Sequence, residues 1–248
     1  MEITSVNNDL VKETAKLQQK KYRNQSGKFL LEGYKTIREA FDCGIQLDRV
    51  FVDKKYLSEY SFVGDVIETT DAVLKKLSTT DSAPEAVAVG AQKEYDKKLL
   101  KSSKKVVLLE SIKDLGNLGT IIRSSLAFGA DAIILYGDSV DIYNPKCVRA
   151  SVGNLWKLPI FHFKSLDELK DNFSDFERVA TLPRSNNLLK TYKAKLPTLV
   201  MFGSEADGLS DELIDFSNDS VKIEMAKTVE SLNLATSVSV ILYQLFVD

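Results

Sequence analysis

VVLLESIKDLGNLGTIIR, residues 106–123, passes from an apolar run through a polar loop into a helical pattern. The uninterrupted run Val106-Val107-Leu108-Leu109 suits a strand buried on both faces, as strands of parallel sheets are. The same alternation continues to the end of the chain. Strands are predicted over 132–136, 159–163, 178–182, 198–202 and 221–225, and helices over 118–128, 145–152, 166–173, 211–217 and 232–246. This order predicts an α/β fold with a mainly parallel sheet covered on both faces. Ligands of such sheets sit beyond the carboxyl ends of the strands.

Upstream, Asn8 or Asp9 caps a predicted helix through residue 19, and strands are predicted over 29–33, 49–52 and 86–91. Helices are expected over 34–43 and 71–77, which makes a small α/β unit. The lysine-rich stretch KEYDKKLLKSSKK, residues 93–105, lacks apolar periodicity and reads as a partly helical linker. The expected organisation is therefore 1–92, a linker over 93–105, and 106–248.

The composition, 44% hydrophobic and 27% charged over 248 residues, is that of an ordinary globular protein. Cys43 and Cys147 stand far apart with no CxxC or Cys/His spacing, which argues against a disulfide framework or a metal site. The N-terminus MEITSVNNDL does not read as a signal peptide, and no apolar stretch reaches the roughly 18 residues of a spanning helix. A cytoplasmic protein is expected. The net charge of −2 excludes a global attraction to polyanions. Any such surface is local, and Lys12, Lys16, Lys20, Lys21, Arg23 and Lys28, with Tyr22 among them, are the candidates. They either neutralise phosphates or form a solvated helix face.

Three loops at the predicted carboxyl edge carry unusual residues. In the first, Gly116 and Gly119 permit tight turning into a helix, Asn117 is a candidate cap, and Arg123 follows six residues later. It is neither GxGxxG nor GxxxxGK[ST], which speaks against a nicotinamide dehydrogenase or a nucleoside-triphosphate site. The second, MFGSEADGLS over 201–210, sets Glu205 between Gly203 and Gly208, with Ser210 placed to cap a helix. In the third, Ser231 or Asn233 caps the apolar last helix. Taken singly, each loop also reads as an ordinary cap or turn. His162, on a predicted strand between two phenylalanines, reads as structural.

Together these loops resemble, in order, the three signature motifs of the SpoU (TrmH-like) RNA 2′-O-ribose methyltransferases. The matching text is GNLGTIIRSSLAFGADAIIL with NPKCVRASVGNLWKLPI, then LVMFGSEADGLS, then IEMAKTVESLNLATSVSVILYQL. GKFLLEGYKTIREA and STTDSAPEAVAV resemble the small substrate-binding domain that many members carry in front. Leu115 and Glu224 stand where such proteins usually have proline, which implies looser loops.

The resemblance implies a SPOUT-type parallel sheet with a trefoil knot, S-adenosylmethionine as cofactor, no metal, and a homodimer formed through the C-terminal domain. It implies a catalytic set of Asn117, Arg123, Glu205, Ser231 and Asn233. Cofactor contacts would come from Thr181, Leu182, Gly203, Ser204, Gly208, Ile223, Met225, Ser231 and Leu232. Lys20, Lys21, Arg23 and Arg149 are the expected RNA contacts, with 23S ribosomal RNA as substrate. Transfer RNA as substrate and a catalytically silent RNA-binding protein are the alternatives. Because a guanidinium stays protonated, Arg123 is expected to hold a phosphate and steady alkoxide charge while Asn117, Glu205 or a water passes the proton.

Overall fold

The structure is a computed structural model that describes residues 1–226 and 228–247. Its strands are β1 (Glu2–Ile3), β2 (Lys28–Glu32), β3 (Leu47–Asp53), β4 (Ile67–Thr69), β5 (Ala86–Ala91), β6 (Lys105–Glu110), β7 (Ala132–Tyr136), β8 (Ile160–Phe163), β9 (Glu177–Thr181), β10 (Thr198–Phe202) and β11 (Asp219–Val221). The α-helices are α1 (Asp9–Lys16), α2 (Lys20–Ser26), α3 (Tyr34–Asp42), α4 (Asp71–Leu77), α5 (Leu115–Ala127), α6 (Pro145–Ala150), α7 (Leu166–Phe173), α8 (Asp211–Phe216) and α9 (Leu234–Phe246). The stretch read as a linker contributes a 3-10 turn, Lys97–Ser102, capped by Asp96. No helix among the described residues is long and apolar enough to cross a membrane.

Two compact units result. The first joins Met1–Glu94 with Asp141–Lys157, and the second joins Tyr95–Val140 with Leu158–Asp248. The first is built on a mixed sheet of order β1-β4-β3-β5-β2, in which β5 runs antiparallel to β2 and β3. Val11, Val73, Leu74 and Leu77 from α1 and α4 pack with Leu30, Phe51 and Val87 to form its core.

Residues 141–157 belong to the first unit for reasons that spacing does not show. Arg23 donates from Nε and Nη2 to the Asp141 carboxylate at 2.8 and 2.6 Å. Phe29 of β2 packs with Tyr143 and Trp156, ring centroids 4.7 and 6.1 Å away. Lys157 pairs with Glu39.

The second unit holds a wholly parallel sheet of order β11-β9-β10-β6-β7-β8. Val106, Leu108, Ile134 and Met201 pack with Leu169, Phe173 and Leu213 of α7 and α8 on one face. The alternate residues Val107, Leu109, Ile133 and Leu135 are equally buried, so both faces are covered.

Several boundaries differ from expectation. The first helix ends at Lys16 and restarts at Lys20, rather than running through 19. β11 occupies 219–221 rather than 221–225, because pairing with β9 places Asp219 opposite Val179. α5 begins at Leu115, three residues earlier than its apolar period, since Asp114 and not Asn117 is its cap. Leu115 thus stands at the first helical position, where proline is accommodated without loss.

Candidate active site

The site is assembled at the carboxyl ends of β6, β9, β10 and β11. Asp114 accepts the Asn117 backbone N–H at 2.7 Å, so the Asn117 side chain is not consumed in capping. Its Nδ2 donates to Glu205 Oε1 at 3.0 Å, and its Oδ1 accepts from Asn233 Nδ2, also at 3.0 Å. Asn233 in turn caps α9, its Oδ1 accepting from the N–H groups of Ala235 at 2.9 Å and Thr236 at 3.3 Å. One amide therefore joins three loops that lie 88 and 116 residues apart in sequence.

α5 and α9 run side by side in the same direction. Asn117 meets Asn233, the Ser124 and Ser239 hydroxyls are 2.7 Å apart, and the Phe128 ring meets Tyr243 edge-on at 5.6 Å. Ser239 donates to the Ala235 carbonyl, so Ser124 is the donor in the hydroxyl pair.

Gly203 ends β10 at a place where no side chain fits. A β-carbon there would stand 1.9 Å from the Gly208 carbonyl carbon, because Ser204 and Gly208 exchange two backbone hydrogen bonds, of 3.0 and 3.1 Å, directly behind it. The far end of this turn is fixed by Glu110, the last residue of β6, whose Oε2 accepts the Ser210 N–H at 2.8 Å. Sequence reasoning overlooked Glu110. A carboxylate that closes the run VVLLE at the carboxyl end of a central strand was the available signal.

The other expected residues fall as follows. Thr181 ends β9 and donates its hydroxyl to the Met201 carbonyl at 2.9 Å, and the Leu182 N–H donates to the Val221 carbonyl at 3.0 Å. Ile223 and Glu224 line a cavity of about 450 Å³ together with Leu189, Lys190, Val240 and Tyr243. Glu224, at the position expected to be looser, is tied to Lys190 at 2.7 Å. Met225, Ser231 and Leu232 are exposed.

Arg123 is exposed and makes no hydrogen bond or ion pair among the described residues. Six residues of helix turn it about 240° from Asn117 and carry it roughly 9 Å along the axis. The structure thus brings Asn117, Glu205 and Asn233 together and leaves Arg123 and Ser231 outside their hydrogen-bonded set. His162 sits exposed on β8.

Of the expected RNA contacts, Lys20 and Lys21 are exposed. Arg23 is not available: it is 1% exposed, held by Asp141 and by the Leu17 and Gln18 carbonyls, each at 2.8 Å. Arg149 donates from Nη1 to Glu32 at 3.0 Å and to Thr79 at 2.6 Å.

Comparison with known proteins finds relatives of both parts of the chain. The SpoU rRNA Methylase family matches residues 104–243, and the MRM3-like substrate binding domain matches residues 8–88. An uncharacterized tRNA/rRNA methyltransferase of Synechocystis is 32% identical over 98% of this chain and 92% of its own length. A 23S rRNA (uridine(2479)-2′-O)-methyltransferase of Streptomyces viridochromogenes is 28% identical over 98% of this chain and 90% of its own. The crystal structure of an AdoMet-bound rRNA methyltransferase from Sinorhizobium meliloti superposes with a TM-score of 0.89 at 28% identity, covering 98% of this chain and 96% of that one.

Proposed function

The chain belongs to the SpoU rRNA methylase family, and from that premise we propose that it methylates a ribose 2′-hydroxyl of ribosomal RNA with S-adenosylmethionine as donor. The observation that carries this reading is the Asn117 amide bonded at once to Glu205 and Asn233, which draws all three loops into one site. The names of the relatives point to 23S RNA, and the match of residues 8–88 to a substrate-binding domain supports an RNA-holding role for the first unit.

The donor fits the residues present. Leu182, Gly203 and Ile223 stand just beyond the ends of three neighbouring parallel strands, β9, β10 and β11. Between Ile223 and Leu232 the described residues make one backbone hydrogen bond, from the Val229 N–H to the Ala226 carbonyl. The other main-chain donors and acceptors of the described residues in that loop are open to a ligand. Thr181, Leu182, Gly203, Ser204, Gly208, Ile223, Met225, Ser231 and Leu232 would hold it. When bound, S-adenosylmethionine supplies a methyl group on a sulfonium whose positive charge disappears on transfer, so alignment and exclusion of water matter more than a metal.

The chain's own task is the proton. A ribose hydroxyl is barely ionised at neutral pH, so a neighbouring group must accept its proton. Glu205 is positioned for this, with Oε1 held by Asn117 and Oε2 without a partner among the described residues. Arg123, permanently charged and unengaged, would take the adjacent phosphate and steady the forming alkoxide. Ser231, two residues before the α9 cap, completes the set.

Two further features of the family are part of this reading. The C-terminal segment would thread as a trefoil knot. The protein would form a homodimer through the C-terminal domain, a role favoured by Val240, Tyr243 and Val247, exposed by 41, 60 and 45% on or just after α9.

Mass-spectrometric mapping of ribose methylation in ribosomal RNA, from cells with and without the gene, tests the proposal. One position should lose its methyl group. If no position changed, and no labelled methyl passed from the donor to any RNA in vitro, the silent RNA-binding reading would replace it.

A further inference from the structure

We propose that the first unit carries a phosphate track for RNA, a strip of cationic side chains drawn from three separated stretches of sequence. The inference rests on the reading of this chain as an RNA methyltransferase and adds how the RNA is held.

The strip begins at the corner between α1 and α2. Lys16, Lys20 and Lys21 are exposed there, and none forms an ion pair among the described residues. The Lys16 and Lys21 ammoniums each lie 5.8 Å from the centre of the Tyr22 ring, which gathers both around one aromatic group. The nearby acids Asp9 and Glu13 are already paired, with Lys12 and Arg49.

Gln18, in the turn between the helices, fastens this corner to the end of α4. Its Nε2 donates to the carbonyls of Lys76, Leu77 and Ser78 at 3.0, 3.1 and 3.1 Å. Lys76 is exposed at that junction, again without an ion pair among the described residues.

From Ser78 the contacts lead on to Arg149. The Ser78 hydroxyl donates at 2.8 Å to Glu32, a carboxylate only 3% exposed, which also accepts from the Thr79 hydroxyl at 3.1 Å and from Arg149 Nη1 at 3.0 Å. The Arg149 side chain is 31% exposed, and its Nε and Nη2 have no partner among the described residues. A buried carboxylate that fixes one edge of a guanidinium presents its other edge in a set direction, which suits bidentate phosphate.

The sequence places these residues at 16–21, 76–79 and 149, and only the Gln18 and Glu32 bonds reveal them as contiguous. Ammoniums of this kind grip the sugar–phosphate backbone without reading bases, so the track positions RNA and leaves sequence choice to other residues.

The test uses the full-length protein and a short fluorescent RNA hairpin of arbitrary sequence, with affinity measured by anisotropy over a range of KCl. Each lost phosphate contact lowers the slope of log K against log salt by about 0.7 to 0.9, so Lys20→Ala/Lys21→Ala/Lys76→Ala should lower it by roughly 2 to 3. Affinity near 0.1 M salt should fall roughly tenfold or more, while S-adenosylmethionine binding, read by calorimetry, stays unchanged. The single variant Lys76→Glu, on a different element, should weaken binding as well. Unchanged slope and affinity in the folded triple variant, or in Lys76→Glu, would overturn the track. Methylation is scored separately. If the slope falls as stated but the wild type methylates no RNA, the track stands and the enzymatic reading fails; if methylation is intact and the slope is unmoved, the reverse holds.

Discussion

Replacing Gly203 by alanine separates close backbone approach from mere flexibility. The new β-carbon would lie 1.9, 2.0 and 2.2 Å from the Gly208 carbonyl carbon, the Leu209 nitrogen and the Gly208 oxygen. Non-bonded carbons rest near 3.5 Å, so the 208–209 backbone would have to retreat by about 1.5 Å. No rotamer relieves this, because every partner is main chain. The retreat breaks the two Ser204–Gly208 hydrogen bonds and displaces Leu209, which is 7% exposed in the core. Two bonds at about 1 kcal/mol each, with overpacking of about 1 to 3 kcal/mol, give a loss of about 3 to 5 kcal/mol. For a chain of this size that lowers Tm by roughly 6 to 20 °C. Gly208→Ala is the control. Residue 208 has φ +73° with nothing within 4 Å of a β-carbon, so only conformational strain of about 1 to 2 kcal/mol applies. Calorimetric Tm and S-adenosylmethionine affinity should both fall far more in Gly203→Ala than in Gly208→Ala. A Gly203→Ala protein that melts within about 2 °C of wild type and binds the donor as tightly would refute the reasoning.

Other perturbations follow from the same contacts. Arg23→Met removes a buried guanidinium and leaves Asp141, 11% exposed, without its partner, so stability should fall by about 3 to 5 kcal/mol in urea unfolding; an unmoved midpoint would show that the pair contributes nothing. The Cys147 thiol is pushed up to about 12 by burial, with Asp141 adding to the effect, so iodoacetamide should modify Cys43 in the native protein and Cys147 only after unfolding, as read by mass spectrometry. Native labelling of Cys147 would mean that Asp141–Lys157 is not packed as described. The Glu168 carboxyl is held below its usual range, first by the Lys164 backbone N–H at 2.7 Å and then by Lys97. A lowered folded value stabilises above the unfolded pKa of about 4.3 and stops doing so as pH falls through the folded value. The gap in urea midpoint between wild type and Glu168→Gln should therefore be full above about pH 5 and close in acid; a gap constant across that range would assign it to packing instead.

Runs of apolar residues made the second sheet legible. β10 at Thr198–Phe202 and β7 at Ala132–Tyr136 fall where the sequence puts them, because their strands are buried and bounded by turns. β11 lies earlier than the sequence pattern suggests because Asp219 and Ser220 carry no apolar period, and pairing with β9 decides its position. The sequence pattern carries the first helix through residue 19, because local pattern cannot show that Gln18 spends its amide on the end of α4. Arg23 reads as one of a basic run expected to contact RNA, yet its partner Asp141 lies 118 residues away. Asn117 stands out in the motif and reads there as a candidate cap. Only the structure shows that Asp114 takes that part and leaves the Asn117 amide free for Glu205 and Asn233.

The most direct test of the site is to incubate the purified chain with methyl-tritiated S-adenosylmethionine and ribosomal RNA, then hydrolyse the RNA in alkali. A 2′-O-methyl group removes the hydroxyl that alkaline cleavage requires, so label transferred to ribose survives in resistant dinucleotides. Wild type should place its label there, and Asn117→Ala, folded but without the shared amide, should do so roughly 100-fold more slowly or worse. Label released as methylated bases in mononucleotides, or an Asn117→Ala protein as fast as wild type, would contradict the account.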